Sequence, residues 1–365
     1  MKALRYLPFL KRGFVHAGPP LHLTVYVTGR CNLRCRHCFY WEGVLEGAPG
    51  PSLEDFERLA ESTQRMGPLL WISFGGGEPF LRDDLDQIAA SFGKRGLRHL
   101  TIPTNGLVGG MEDRVRALLA AAPDTVLSIS VSFDGPPDIH DAIRLAPGGH
   151  AKSCKTVRRL VSMAKDEPRL GVGLGLTVTK ENQELLADHA EELVRELRPH
   201  NLTINLARGT APDSELLEVD IERYEEVVAR KRKLMEQGLL PYFDFPLASL
   251  AVARDRMMYE HVARVARSNG TDLADSHLPC TAGKLSAVIF ENGQVHPCEV
   301  LGESLGNLND HDWDLQRLWS AADAANMRDR IRETRCRCTW ECAQADNVLF
   351  RPQSWPRLGM EVLKK

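Results

Sequence analysis

No stretch of the chain approaches the roughly 18 consecutive apolar residues needed for a bilayer-spanning helix, so a helical membrane protein is not expected. Net charge is small, −3 at neutral pH. No basic excess marks a nucleic-acid or membrane-surface binder, and there is no acidic tail. Internal repeats, low-complexity tracts and long linkers are also missing. The opening segment, MKALRYLPFLKRGF, is interrupted by Arg5 and Pro8 and is too short for an export signal. It reads as a strand or short helix packed on the domain behind it, with an interfacial membrane anchor as the lesser alternative. The expected location is therefore cytoplasmic, with neither nucleic acid nor membrane as partner.

Cysteine, by contrast, is plentiful: nine residues, an odd number, and mostly clustered. Without an export signal a disulfide framework fits poorly, and clustered thiols in a reducing compartment point to metal. The 43% apolar content supports a sizeable core. A length of 365 residues suggests two or three domains, or one large α/β unit with an appendage.

β-rich runs fall at 21–27, 69–74, 99–104, 126–133, 170–178 and 201–207, with helical patterns between them. Ser52 and Asp83 stand where helices begin. Six strands alternating with helices imply parallel pairing through right-handed crossovers. The fold class is α/β, an open, partial (β/α)6 TIM-like barrel. In barrels the chemistry gathers at the C-terminal strand ends. There the sequence places a cysteine cluster, Gly75–Pro79, Thr104-Asn105-Gly106, Ser132–Asp134 and Arg208. Past residue 210 come two longer helical patterns, a β-like stretch with an Asn292-Gly293 turn, a helix around 313–333 and more cysteines. The expected division is 1–20 N-terminal extension, 21–210 barrel, 211–275 helical connector, 276–345 cysteine-rich domain and 346–365 tail.

CNLRCRHC, residues 31–38, can wrap a soft-metal site within one loop. Structural zinc wants four closed ligands, and the next cysteine, Cys154, is far away and sits in a helical pattern that reads as core packing. A [4Fe–4S] cube normally takes four thiolates, so three leave one iron open for chemistry. His37 lies inside the loop with its ring expected to point away from the metal. Iron–sulfur is the leading reading and zinc the alternative.

CNLRCRHC resembles the CxxxCxxC signature of the radical S-adenosylmethionine superfamily, with His37 at the aromatic position before the last cysteine. The resemblance extends over residues 21–345. It implies that Cys31, Cys35 and Cys38 bind three irons of a [4Fe–4S] cluster while the fourth is chelated by S-adenosylmethionine. One electron then releases methionine and a 5′-deoxyadenosyl radical, which abstracts hydrogen from substrate; the protein supplies position and electronics. FGGGEP (74–79) resembles the family's GGE element, assigning Gly76, Gly77, Glu78 and Pro79 to the cofactor, with Glu78 accepting from the methionine ammonium and small residues admitting the ligand. Thr104-Asn105-Gly106 resembles the third-strand end. SFDGPPDIHDAIR resembles a subgroup stretch in which Ser132 and Asp134 serve the ribose or methionine end and Arg144 the carboxylate. His37, Tyr40, Asn105 and Arg208 complete the expected cofactor contacts, and Asn182 is balanced between that role and a structural one. A turn is the plainer reading of each glycine element.

Cys280, Cys298, Cys336, Cys338 and Cys342 resemble the SPASM/twitch extension, which holds auxiliary [4Fe–4S] clusters. Five thiols favour one auxiliary cluster. Cys280 and Cys298 are expected ligands, with two of the last three completing the set, Cys342 first among them; a zinc ribbon is the alternative. The resemblance implies a maturase or oxidoreductase acting on a peptide or a small metabolite, with a flavodoxin- or ferredoxin-type electron donor. About 20 N-terminal residues do not accommodate a fused leader-peptide reader, so a peptide substrate calls for a separate carrier or direct docking. No cobalamin signature is found. Adenosyl-radical addition to a small molecule, or a non-catalytic zinc module, are the rival functions. Residues 208–250, including Tyr242 and Asp244, are expected to line the substrate pocket.

Overall fold

The computed structural model describes Tyr6, Pro8, Phe9, Arg12 and residues 18–243, 245–268 and 278–364. All six expected strands form: β1 (His22–Thr28), β2 (Trp71–Gly76), β3 (His99–Thr104), β4 (Val126–Phe133), β5 (Leu170–Val178) and β6 (Asn201–Leu206). Each pairs in parallel with its sequence neighbour. Parallel neighbours require a long crossover. It is supplied by α1 (Trp41–Glu46) and α2 (Leu53–Met66), then α3 (Leu85–Gly93), α4 (Met111–Ala121), α5 (Pro137–Arg144) and α6 (Gly149–Ala164), and α7 (Leu186–Leu197). Ser52 caps α2 as expected: its Oγ accepts from the Asp55 N–H (3.2 Å) while the Asp55 carboxylate accepts from the Ser52 N–H (2.9 Å), a capping box. Asp83 does not cap α3. Asp84 occupies that position, and its carboxylate turns to the Arg82 guanidinium instead, at 2.7 and 2.8 Å.

Strand periodicity sorts the side chains into two environments. β4 reads VLSISVSF; Leu127, Ile129, Val131 and Phe133 are buried in the same core as Phe56, Ile88 and Val157 from the surrounding helices. Ser128, Ser130 and Ser132 face the other way, into the barrel. In register, Ser128 lies beside Thr101 and Gly171, Ser130 beside Pro103 and Gly173, and Ser132 beside Gly175. Closed barrels fill this space with branched side chains. Here serine, threonine and glycine make its walls small and polar.

The C-terminal portion does not stand apart from this sheet. β7 (Ser286–Ile289) pairs in parallel with β1, and β8 (Gln294–His296) and β9 (Gly306–Asn307) follow antiparallel, giving one nine-stranded sheet. The expected Asn292-Gly293 turn is present, with Gly293 at φ 85°. After β6 come α8 (Ile221–Glu236) and α9 (Ala248–Arg267); after β9, α10 (Leu315–Trp319), α11 (Ala322–Glu333), α12 (Glu341–Phe350) and α13 (Trp355–Leu363). The helix expected over 313–333 is thus two helices. The outer edge of β6 is closed by side chains: the Ile204 N–H donates to Tyr259 Oη of α9 (3.2 Å) and the Leu206 N–H to Glu341 Oε1 of α12 (2.9 Å). Among the described residues no helix is long and apolar enough to cross a membrane.

The segment at Tyr242 and Phe243 corrects one expectation. The Tyr242 N–H donates to the His200 carbonyl (2.7 Å), and a Cβ on Gly171 would come within 2.3 Å of the Phe243 ring. Gly171 and His200 mark the N-terminal ends of β5 and β6, so Tyr242 stands with Phe243, whose ring fills the barrel there, at the end opposite Cys31, Cys35 and Cys38. It is held there by its Oη bond to Asp255 (3.1 Å) and does not line a substrate pocket. Asp244 lies outside the described residues. His99 belongs to the same plug, with Nε2 3.0 Å from Tyr6 Oη and its ring edge-on to Phe245. Burial lowers its pKa to about 4. A depressed imidazole contributes stability that is intact above about pH 6.5, where the unfolded form is neutral, and lost as pH falls toward 4. Acid unfolding monitored by circular dichroism should therefore be shallower over this window in His99→Gln; an unchanged slope would exclude His99 as the cause.

Candidate functional site

The loop carrying Cys31, Cys35 and Cys38 leaves the C-terminal end of β1 and is fastened to the strand ends beside it. The Gly77 N–H donates to the Thr28 carbonyl and the Glu78 N–H to the Arg30 carbonyl, both at 2.8 Å. This approach explains the glycines. Gly76 has φ 114°, and a Cβ there would stand 2.2 Å from the Thr28 oxygen; one on Gly77 would stand 2.1 Å from the Arg30 oxygen. They make room for the protein's own cysteine loop, whereas the sequence suggested room for a ligand.

Glu78, fully buried ahead of Pro79, continues the fastening. Its Oε1 accepts from Thr104 Oγ1 (2.9 Å) and the Phe80 N–H (3.2 Å), and its Oε2 from the Asn105 N–H (2.8 Å). Asn105 in turn donates from Nδ2 to Asn32 Oδ1 inside the loop (2.8 Å). From the other side Arg36 bonds Asp213 and Glu181 (2.7 Å each). Asn182 resolves to a structural role: it is wholly buried, with Nδ2 on the Asp134 and Thr177 carbonyls (3.0 and 2.8 Å) and Oδ1 on the Thr179 N–H. Ser132 faces the lumen near its top.

Behind the loop sits a buried ion pair. Arg144 Nε bonds Asp134 Oδ2 at 2.6 Å, and His37 Nε2 lies 3.7 Å from Asp134 Oδ1. Burial alone would raise the Asp134 pKa, yet Arg144, with His37 and His140, holds it below the usual range. Burial lowers His37 against the pull of Asp134, toward which its ring is turned, away from the three thiols. Arg144 is felt by all three cysteines, and the Nη side of its fork remains for an anion. Burial pushes the three thiols up, Cys35 to about 12. Such thiols stay protonated until a cation displaces the protons. Half-buried, unpaired and sharing one cation, they suit a cluster that brings its own positive charge.

The second group gathers along the flank of the sheet beside β1 and β7. Cys298 follows β8, and Cys336 and Cys338 lie between α11 and α12. In the Cys280–Cys336 pair the interaction of the two thiols holds Cys336 below and Cys280 above the usual range. Cys338 senses Cys298 and Cys336, while Cys298 and Cys342 share a cavity with His22, Thr24 and Trp340. Among the described residues no group of three His, Cys, Asp or Glu side chains closes around a single metal-ion position; a four-iron cube holds its thiolates farther apart than one ion does.

Arg208 departs from its expected place. Its guanidinium lies over the Trp340 ring (3.9 Å) and bonds Glu341, so it faces the C-terminal cysteines. Tyr40 packs edge-to-face on Tyr26 at 4.6 Å and stacks toward Phe290. Tyr26 and Glu299 escaped the sequence reading: Tyr26 Oη donates to Glu299 Oε1 (2.9 Å), and burial lifts Glu299 to about 7. The only signal was an acidic residue following Cys298. Cys154 packs in the core of α6, as expected.

Residues 25–204 match the model of the radical SAM superfamily, and residues 280–343 that of SPASM, an iron–sulfur cluster-binding domain. The chain belongs to the radical SAM superfamily. Within it, the protein is a SPASM-containing member, which implies S-adenosylmethionine, a [4Fe–4S] cluster and an auxiliary iron–sulfur cluster as its cofactors. It is 25% identical over 339 residues to the antilisterial bacteriocin subtilosin biosynthesis protein AlbA of Bacillus subtilis, covering 88% of this chain and 66% of that one. A probable GTP 3′,8-cyclase of Methanothermobacter marburgensis is 36% identical over 119 residues, 33% of this chain and 37% of its own. The AdoMet-dependent heme synthase of Nitratidesulfovibrio vulgaris is 26% identical over 293 residues, 77% and 74% of the two chains. The chain thus spans just under two thirds of the first relative and about a third of the second. In fold it resembles Streptococcus suis SuiB bound to S-adenosylmethionine (TM-score 0.61, 16% identity, 89% and 71% coverage) and anSMEcpe with bound AdoMet (0.61, 16%, 95% and 100%).

Proposed function

We propose that the chain is a radical S-adenosylmethionine maturase that oxidises a peptide substrate between its two cysteine groups. The observation that carries this reading is the meeting of the two cysteine loops, Phe39 of the first against Trp340 of the second at 6.2 Å, with Tyr26 of β1 bonded to Glu299 beside Cys298 (2.9 Å). When bound, the cluster and S-adenosylmethionine supply reductive cleavage of the sulfonium and hydrogen-atom abstraction. Cys31, Cys35 and Cys38 hold that cluster. Gly76, Gly77, Glu78 and Asn105 fix the loop that presents it, and the free side of the Arg144 fork receives the methionine carboxylate. The lumen serines and glycines leave space for the rest of the cofactor. Burial holds the Glu299 carboxyl well above the usual range, where it accepts from Tyr26 beside Cys298. Cys280 and Cys298, with two of Cys336, Cys338 and Cys342, would hold one auxiliary cluster, which would supply an acceptor for the substrate electron.

A peptide is favoured over a metabolite because the bacteriocin biosynthesis protein matches 88% of this chain, and SuiB, which shares the fold, has been seen bound to its precursor peptide SuiA. A flavodoxin- or ferredoxin-type protein donates the electron, a separate carrier presents the peptide, and a reducing cytoplasm suits the free thiols. To test this, the anaerobically reconstituted chain is given dithionite, S-adenosylmethionine and any short peptide encoded beside its gene. Release of 5′-deoxyadenosine with a mass change in the peptide is expected. Methionine without free 5′-deoxyadenosine would instead indicate adenosyl addition, and a colourless zinc protein would end the enzyme reading. Cys298→Ala should spare uncoupled cleavage while cutting peptide turnover at least tenfold; full turnover would remove the auxiliary cluster from the reaction.

A further inference from the structure

The two cysteine loops touch through a stack of side chains anchored just past β6. Phe39 follows Cys38 in the first loop, and Trp340 stands between Cys338 and Cys342 in the second. Their rings meet edge-to-face at 6.2 Å and 71°. Arg208, at the end of β6, lies over Trp340 with its Cζ 3.9 Å from the ring centroid, a cation–π contact in a water-poor setting. Its Nη1 bonds Glu341 Oε2 and donates to the Thr339 carbonyl (3.4 Å), while Glu341 Oε1 accepts from the Leu206 N–H (2.9 Å). Gly209, at φ 76°, brings the chain close under Phe39: a Cβ there would stand 3.3 Å from Phe39 Cβ. Strand, first loop and second loop therefore meet at Arg208, and its charge is felt at Cys338 and Cys342.

We propose that Arg208 and Trp340 are positioning residues that lock the two cysteine loops at a fixed separation, and that the Arg208 charge raises the reduction potential of the auxiliary cluster. This rests on the auxiliary cluster of the preceding reading. A reduced cluster carries one more negative charge, so a nearby cation stabilises it over the oxidised form. The planar guanidinium satisfies stacking and the Glu341 carboxylate together; a lysine ammonium retains the charge but loses the planar stack.

The test uses the full chain, reconstituted anaerobically, with Arg208→Gln, Arg208→Lys, Trp340→Phe and Trp340→Ala. In a redox titration followed by electron paramagnetic resonance, Arg208→Gln should lower the auxiliary potential, and Arg208→Lys should restore most of it. The signal of the first cluster serves as the internal reference. In the metal-free protein, hydrogen exchange across residues 336–343 should quicken in Trp340→Ala and stay near the parent rate in Trp340→Phe. An unmoved potential in Arg208→Gln with iron content intact overturns the electrostatic part, and failure of lysine to restore it does the same. Should Arg208→Gln not fold, Glu341→Gln, which leaves the Arg208 charge without its opposing carboxylate, should raise the potential, and an unmoved potential there overturns the electrostatic part as well. Unchanged exchange in Trp340→Ala overturns the positioning part. A parent protein with no second iron–sulfur signal is a different failure, that of the auxiliary cluster itself.

Discussion

Cys35→Ala should abolish reductive cleavage of S-adenosylmethionine while leaving the fold in place. Three thiolates are the least that can hold a cube with one iron open, and removing one leaves two irons without protein ligands. Cys35 is only half-buried and hydrogen-bonds through its backbone carbonyl, which accepts from the Cys38 N–H (3.2 Å) and survives the change. The loop's anchors are likewise backbone groups, Glu78 and Asn105, all untouched. Far-UV circular dichroism should match the parent, iron content should fall by about half with the auxiliary site still filled, and no 5′-deoxyadenosine should form. Cleavage at the parent rate would refute the ligand assignment.

Arg144→Ala should be the most destabilising single change at the site. Asp134 is completely buried, and its Oδ1 has no hydrogen-bond partner even with Arg144 present. Removing the guanidinium strands that carboxylate, at a cost of about 3–5 kcal/mol. The companion variant Asp134→Asn removes the charge that needs compensation, so the double variant Asp134→Asn/Arg144→Ala should lose less than the sum of the two singles. Urea unfolding of the metal-free chain measures all three. A loss below about 1 kcal/mol in Arg144→Ala would show that the pair is solvated and not a buried strut.

The barrel strands were legible because parallel strands buried on one face by helices leave dense Val, Ile and Leu runs, and β4 and β5 alternate those with Ser and Gly. Cys31, Cys35 and Cys38 were legible because their spacing is local. What stayed hidden depends on neighbours remote in sequence. The sequence offers Glu78, Asn105 and Gly77 as ligand contacts, whereas the partners they have in the fold are Thr104, Asn32 and the Arg30 carbonyl, brought together by the side-by-side pairing of β1, β2 and β3. Arg208 sits at a strand end facing the lumen in pattern alone; its true partner, Glu341, is 133 residues away. Tyr242 was misplaced because an aromatic run after β6 carries no mark of which barrel end it will close. Asp83 and Asp84 differ by one position, and the arginine before them decided between capping and pairing.

The parallel contact between β1 and β7 carries a consequence for how this protein can be divided. The strand that launches the cysteine loop has its second neighbour in the C-terminal segment, from His22 opposite Ser286 to Val25 opposite Ile289. A barrel cut away before residue 280 would expose a row of unmatched amides and carbonyls along its founding strand, an adhesive border open to any other chain. The two halves are therefore not modules that could be traded between proteins at a linker: each supplies part of the other's hydrogen-bonded seam, and whatever reshapes one end of that seam is transmitted to the iron-bearing loop at the other.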